Sequence, residues 1–108
     1  MRITRGNTVA IGPGKIMLLE AILDTGSISA AARKLGMSYR RAWLLVDEMN
    51  RNLKSPAVET AAGGRRGGGT CVTPVGQNII RRYREIERKA AAAAARDIGA
   101  LTRLIRHD

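Results

Sequence analysis

Residues 26–53 constrain the fold most strongly, because their pattern is typical of two short helices joined by a tight turn. The segment reads GSISAAARKLGMSYRRAWLLVDEMNRNL. Alanines at positions 30–32 keep the first helix thin, and Gly36 follows Leu35 where a helix end favours a left-handed residue. Ser38 then stands where a side-chain oxygen caps the next helix. The segment therefore predicts a helix-turn-helix unit.

The residues before this unit predict a small hairpin followed by a helix. Apolar residues alternate weakly around Gly6-Asn7, which is typical of a strand or hairpin over residues 2–11. Pro13 suits the entry of a helix, and Thr25-Gly26 suits its end. Apolar residues at helical spacing predict the buried face of this helix, which consists of Ile16, Leu19, Ile22 and Leu23.

The residues after the unit predict a β-wing. Two short β-prone runs at 58–61 and 70–73 are joined by AGGRRGGG, which contains five glycines and two arginines. Such a loop allows backbone N–H groups and arginines to approach a DNA backbone or minor groove. A nucleotide cradle is disfavoured, because the Lys-Ser/Thr pair and the following helix of a phosphate-binding loop are missing here.

The last third of the chain predicts a long helix with an apolar face suited to a partner chain. Thr73 and Pro74 are typical of an N-cap and a first helical residue, and the pattern continues at least to Arg96, with Gly99 as a candidate kink. The alternative for residues 90–108 is a frayed, partly helical tail. The apolar spacing is kept by Val75, Ile79, Tyr83, Ile86, Ala90 and Ala93 or Ala94, and Ile98, Leu101, Leu104 and Ile105 extend it.

The charge balance favours a polyanionic partner. The chain has 19 basic and 9 acidic side chains and a net charge of +10, which suits nucleic acid or an anionic membrane surface. No long apolar run or signal core is present, so we expect a cytoplasmic protein without membrane contact. Cys71 and His107 are each alone, and no carboxylate pair or nucleophile–base pair stands out. We therefore expect no enzyme activity, no cofactor and no metal site.

Five segments of the chain together resemble a known family. They are GSISAAA at 26–32, GMSYRRAW at 36–43, DEMN at 47–50, GGRRGGG at 63–69 and TPVGQ at 73–77. Over residues 12–89 the chain resembles the DNA-binding domain of ModE-type, molybdate-responsive regulators, a winged helix family related to the LysR type. The resemblance implies a winged helix dimer that acts on transcription at an inverted-repeat operator. Molybdate-sensing members carry C-terminal oxyanion-binding modules for which this chain has no room, so molybdate binding by this chain is not expected.

These observations predict a mainly α fold with a small β-wing. A winged helix-turn-helix domain is expected over residues 1–73, with its wing at 58–73, and a C-terminal dimerisation helix over 74–108. Trp43 is expected in the core because of its large apolar area. Expected dimer contacts are Ile79, Tyr83, Ile86 and Ala90. Expected DNA contacts are Ser38, Tyr39, Arg40 and Arg41 on the recognition helix, and Gly63, Gly64, Arg65, Arg66 and Gly67 on the wing.

The leading functional hypothesis is a homodimeric regulator of transcription that binds a specific double-stranded DNA sequence. Between residues 27 and 73 there are eight basic and three acidic side chains, so the charge excess lies where this hypothesis needs it. The alternative is a non-specific, architectural nucleic-acid-binding protein, which the net charge alone would suit. A small-anion sensor or enzyme that uses the Gly-rich loop is the weakest reading, since no catalytic constellation supports it.

Overall fold

The computed structural model describes residues 1–60 and 69–106, and it consists of helices with two small hairpins. The elements are β1 (Ile3–Arg5), β2 (Thr8–Ile11), α1 (Pro13–Thr25), α2 (Ile28–Leu35), α3 (Tyr39–Arg51), β3 (Val58–Thr60), β4 (Thr70–Val72), α4 (Pro74–Ala93) and α5 (Ala95–Thr102). The prediction of a mainly α fold with a small β component is confirmed. The predicted wing-tip residues Gly63, Gly64, Arg65, Arg66 and Gly67 lie outside the described residues.

Capping residues fix where the helices begin and end, as the sequence predicts. Gly26 and Gly36 adopt left-handed conformations with φ of 69° and 68°, and they end α1 and α2. The Ser27 hydroxyl accepts a hydrogen bond from the Ala30 N–H at the start of α2. Ser38 and Thr73 cap α3 and α4 in the same way. The helix-turn-helix geometry is thus set locally, by short-range hydrogen bonds.

The hairpin of β1 and β2 is confirmed, and it is held to the helices by a buried lysine. The strands pair antiparallel, and Gly6 turns the chain between them with φ of 60°. The side chain of Lys15 is almost fully buried, and its ammonium group donates to the Val9 carbonyl and to the Glu48 carboxylate. One side chain of α1 therefore joins β2 to α3.

The core surrounds α1, which packs against α2, α3, α4 and β4. Ile16, Leu19 and Ile22 are buried as predicted, but Leu23 is 50% exposed and Leu18 is fully buried instead. The prediction for Leu23 is wrong because neighbours cover α1 on several sides, so its buried face is wider than one helical stripe and is centred differently.

The stem of the predicted wing is confirmed, and it is tied to the helix-turn-helix unit. β3 and β4 pair antiparallel from Val58 opposite Val72 to Thr60 opposite Thr70. The Asn50 side chain accepts from the Ala57 N–H at 2.9 Å and donates to the Val58 carbonyl at 3.0 Å. The Thr70 N–H donates to the Gly26 carbonyl at 3.2 Å. β3 is thereby held to α3, and β4 is held to the end of α1.

Helix α4, which begins the expected C-terminal segment over 74–108, packs against α1 and β4. Tyr83 is buried in the core, and its hydroxyl donates to the Met1 carbonyl at 2.6 Å. The helix ends at Ala93, earlier than predicted, and α5 follows after Ala94. Gly99 lies inside α5 and does not mark the break. Nothing in the six consecutive alanines at 90–95 explains the position of this break.

Candidate nucleic-acid interface

The N-terminal turns of α3 form an exposed surface that carries all four predicted recognition-helix residues. Ser38 caps the helix by accepting a hydrogen bond from the Arg41 N–H at 3.1 Å. Tyr39, Arg40 and Arg41 follow in the first turn, and all three side chains are exposed. Free N–H groups and the positive end of the helix dipole favour an anion at such a terminus. This end of α3 thus brings two guanidinium groups to a helix end that already favours negative charge.

Arg40 and Arg41 have no acidic partner among the described residues, although several other basic residues do. Throughout residues 1–60 and 69–106, ion pairs join Lys15 to Glu48, Lys34 to Asp24, Arg51 to Asp47, and Arg84, Arg88 and Lys89 to nearby glutamates. Within the same residues neither Arg40 nor Arg41 forms an ion pair. Their positive charge is therefore available to an external anion.

The groove beside α3 is positively charged, because the one acidic residue among the described residues that line it, Glu48, is already paired with Lys15. A cavity of about 420 Å³ lies between the N-terminal hairpin and α3, bordered by Arg2, Lys15, Arg41 and Glu48. The pKa of the Glu48 carboxyl is lowered, chiefly because it accepts a hydrogen bond from Lys15. Glu48 is thus held in its charged form and balances Lys15. The charges of Arg2 and Arg41 remain unbalanced at the edge of the groove.

Trp43 lies on the surface, so its predicted place in the core is wrong. Its side chain is 37% exposed and meets the exposed ring of Tyr39 edge to face, with 6.3 Å between ring centroids. Ala42 and Val46 fill the core side of this part of α3. The sequence contained the signal, because Trp43 follows Tyr39 by four residues and therefore shares its side of the helix.

Leu44 is a further surface residue that the sequence reasoning missed. It is 59% exposed, and it lies on a stripe of exposed residues that are spaced three or four positions apart on α3. The other members are Arg40, Asp47 and Arg51, of which the last two form an ion pair at 3.1 Å. A helix with one buried face rarely carries an apolar residue at the centre of its exposed face. The helical spacing in the sequence could therefore have identified Leu44 as an unusual surface residue.

The predicted dimer contacts lie on α4, but one of them is used within the chain. Tyr83 is only 2% exposed, so it is a core residue and its assignment to the partner-facing surface is corrected. Ile79 is half-buried, whereas Ile86 and Ala90 are exposed. Ile79 and Ile86 border an apolar groove of about 230 Å³ that also touches Ile3 of the hairpin. The large apolar side chains of α5, Ile98 and Leu101, are exposed, and so are Leu104 and Ile105, which follow the helix.

Residues 1–60 and 69–106 contain neither a candidate metal cluster nor a candidate membrane span. No cluster of three or more His, Cys, Asp or Glu side chains that could hold a metal ion occurs there. None of the helices in these residues has the length and apolarity needed to cross a membrane.

Known proteins resemble the chain most over the helix-turn-helix unit and its flanks. MopB, a molybdenum-pterin-binding protein of Rhodobacter capsulatus, is 49% identical over 77 residues, which are 71% of this chain and 28% of MopB. The molybdenum transport protein ModE of Azotobacter vinelandii is 45% identical, over 72% of this chain and 29% of that protein. The DNA-binding transcriptional dual regulator ModE of Escherichia coli K12 is 42% identical, over 72% of this chain and 31% of that protein. The chain thus spans less than a third of the length of these relatives.

A solved structure shares the fold. The chain in a CbnR DBD–DNA complex superimposes with a TM-score of 0.65 at 19% identity, over 84% of this chain and 99% of that one. The sequence pattern of the bacterial regulatory helix-turn-helix proteins of the lysR family matches residues 14–77, which include α1, α2, α3 and the wing stem. The match covers more than half of the chain, and the chain therefore belongs to the lysR family of bacterial regulatory helix-turn-helix proteins.

Proposed function

We propose that this chain is the DNA-binding part of a transcriptional regulator, and that it binds a specific double-stranded sequence with α3 in the major groove. The observation that carries the proposal is the pair of exposed arginines, Arg40 and Arg41, beside the Ser38-capped end of α3. The N-terminal residues of the second helix are the ones that reach base edges in helix-turn-helix proteins. The ModE relative of Escherichia coli is a DNA-binding transcriptional regulator, and the structurally similar CbnR domain was solved in complex with DNA; both support the same reading.

The positions of the side chains suggest different roles for them. Arg40 lies on the central exposed stripe of α3, so we assign it to a base edge, where a guanine offers two acceptors to a guanidinium. Arg41 borders the groove beside the hairpin and is assigned to a phosphate. Ser38 and the helix end can hold a second phosphate. Arg65 and Arg66 are assigned to the flanking backbone or minor groove, since they lie in sequence between the two strands of the wing stem.

We also propose that the protein acts as a homodimer on an inverted-repeat operator. Support comes from apolar side chains of α4 and α5 that stay exposed in one chain, among them Ile86, Ile98 and Leu101. A second copy would bury these residues together with the groove beside Ile79. Sedimentation tests this part of the proposal directly. A monomer at micromolar concentration would exclude it, and Leu101→Ser should lower the dimer fraction more than Thr102→Ser does.

Residues 1–108 are proposed to bind DNA without molybdate. The relatives share segments of 71 to 81 residues with this chain, which are at most 31% of their own length, and the lysR pattern matches residues 14–77. Calorimetry with molybdate and tungstate checks this statement. Tight binding of either anion by this chain would contradict it.

Selection from a random pool of double-stranded DNA is the central experiment. We expect an enriched inverted repeat that binds about 10³-fold or more tightly than random DNA. The rival function is a non-specific architectural protein, which the net charge of +10 favours. It predicts that affinity follows backbone charge and that no sequence is enriched.

Substitutions then separate the roles of helix and wing. Arg40→Ala should cost about 1–3 kcal/mol on the selected site and relax the preference at one base pair. Arg65→Ala should weaken binding to all sequences alike. Arg96→Ala, which removes an exposed arginine of α5, is the matched control for loss of one charge. A uniform loss for Arg40→Ala combined with relaxed specificity for Arg65→Ala would mean that the roles of helix and wing are exchanged.

A further inference from the structure

Leu44 is a large apolar side chain at the centre of the most exposed face of α3. Its exposed fraction of 59% is the largest among the apolar residues of this helix. The core-facing side of α3 is formed by Ala42, Val46 and Met49, which are all buried. At 100° per residue, Leu44 lies on the opposite side of the helix from these three. No packing requirement within the described residues explains a leucine here.

The surroundings of Leu44 favour DNA as its partner. Arg40 precedes it by one helical turn on the same stripe, and the ion pair of Asp47 with Arg51 follows it. Charged residues are depleted at the centre of protein–protein interfaces, so a leucine with charged side chains before and after it on its stripe is a poor centre for one. The same arrangement suits a major groove, where guanidinium groups meet acceptor atoms and phosphates.

The chemistry of the major groove identifies what an apolar side chain can contact there. Thymine presents a 5-methyl group in the groove, whereas the other unmodified bases present only hydrogen-bonding atoms and a C–H edge. Placing leucine against a base donor or acceptor would remove that group from water without a replacement partner. An exposed leucine on a groove-contacting helix thus favours thymine over cytosine at one base pair.

We propose that Leu44 is a specificity-determining residue that contacts the methyl group of a thymine in each half-site. This inference rests on the proposed function, because it requires α3 to lie in the major groove. The Cα atoms of Arg40 and Leu44 are separated by about 6 Å along the helix axis, which is less than two base-pair steps. The thymine should therefore lie within about two base pairs of the position whose preference depends on Arg40.

The experiment replaces each thymine of the selected operator, one at a time, by deoxyuridine, which removes only the methyl group. For the unaltered protein, one replacement per half-site near the Arg40-dependent position should weaken binding about four-fold, the value of one buried methyl-sized group. The Leu44→Ala protein should bind thymine and uracil operators equally well. Leu23→Ala, which truncates a leucine of α1 that is 50% exposed, is the matched control and should keep the four-fold difference.

The possible outcomes separate this inference from the proposed function. An enriched operator on which no deoxyuridine replacement weakens binding of the unaltered protein would overturn the inference and leave the proposed function standing. The inference also fails if Leu44→Ala keeps the discrimination between thymine and uracil, or if it alters only the sedimentation of the protein, which would indicate a protein contact. If selection enriches no sequence, the proposed function and the inference both fail.

Discussion

At Gly76 the backbone of α4 passes so close to the wing stem that a side chain has no room. A Cβ atom at this position would lie 2.7 Å from the Val72 side chain and still closer to the Ala57 carbonyl oxygen. The neighbouring Thr73 hydroxyl donates to the Pro56 carbonyl at 2.7 Å and accepts from the Gly76 N–H at 3.1 Å. The start of α4 is thus fitted against both strands at the base of the wing stem by two adjacent contacts.

Replacing Gly76 by alanine should destabilise the fold. The added methyl group must push β3 or β4 away from α4, and overpacking of this kind costs about 1–3 kcal/mol. Chemical denaturation measures the change in the free energy of unfolding. Gly14→Ala in the first turn of α1 is the control, because nothing lies within 4 Å of its Cβ position and alanine favours the helix. Equal stability of the two variants would show that α4 does not pack so closely on the stem.

Ser38 caps α3 and is proposed to bind a phosphate, and two substitutions can separate these two roles. Ser38→Ala removes the acceptor for the Arg41 N–H and should lower the free energy of unfolding by about 1 kcal/mol. Ser38→Asp keeps a capping oxygen and should retain the stability. Because it adds negative charge at the proposed phosphate site, it should nevertheless weaken DNA binding. Thermal unfolding and a binding titration check these expectations, and unimpaired binding by Ser38→Asp would remove Ser38 from the interface.

Single residues were predictable from the sequence where local chemistry decides the conformation. Caps such as Ser38 and left-handed glycines such as Gly36 act through neighbours a few positions away. Trp43 was predicted wrongly and Leu44 was given no role, because the exposure of both depends on which side of α3 the remaining helices cover. Hydrophobicity alone assigns such residues to the core. A binding surface is one of the few places where that assignment fails.

Among the elements, α4 is the one whose role changes most once its packing is known. Its first half is held to the body of the protein by Tyr83 and by Arg84, which forms two hydrogen bonds with the Glu20 carboxylate of α1. These bonds lower the pKa of Glu20 and keep it charged. The apolar side chains of the second half of α4 and of α5, such as Ile86, Ile98 and Leu101, stay exposed to solvent.

Tyr83→Phe tests the attachment of α4 to the N-terminus. Loss of the hydrogen bond to the Met1 carbonyl should lower the free energy of unfolding by about 0.5–1.5 kcal/mol near neutral pH. Burial raises the pKa of the Tyr83 hydroxyl above 10.0, so the native state disfavours its ionised form. The stability that the neutral Tyr83 hydroxyl contributes is fully present below pH 10 and is lost as the pH rises towards the raised pKa.

The pH dependence of unfolding provides the readout for Tyr83. The unaltered protein should lose stability above pH 10 more steeply than Tyr83→Phe does. Tyr39→Phe removes an exposed tyrosine and is the matched control, which should keep the steep loss. Identical alkaline profiles for the unaltered protein and Tyr83→Phe would contradict the buried position of this hydroxyl.

The order and type of the elements followed from the sequence, whereas the side of α4 that faces the core did not. A three-four apolar spacing predicts one buried stripe on a helix, but it does not say whether the cover comes from the same chain or from a partner. Tyr83 was therefore assigned to the dimer surface although it packs inside the chain. The break at Ala94 was equally unpredictable, since alanine is the best helix former at every position of that run.

For the whole molecule, the net charge of +10 predicts binding that depends strongly on salt. Each phosphate that the protein neutralises contributes about −0.9 to the slope of log affinity against log salt concentration. Arg41→Gln should make this slope shallower by about 1 without changing the preferred sequence. Binding titrations from about 50 to about 200 mM salt measure the slope. A changed base preference for Arg41→Gln would place this residue on a base.

The attachment of α4 by Tyr83 and Arg84 would fix the half-site spacing that a dimer of this protein can bind. With the first half of this helix fixed to the body that carries α3, a dimer joined through its outer half would hold two reading helices at one separation and one rotational phase. One base pair inserted at the operator centre turns the half-sites by about 35° relative to each other, so we expect it to abolish paired binding. Inserting a whole turn of DNA restores the rotational phase but moves the half-sites about 34 Å further apart. A dimer with fixed helices cannot span that added distance, so we expect binding to stay impaired.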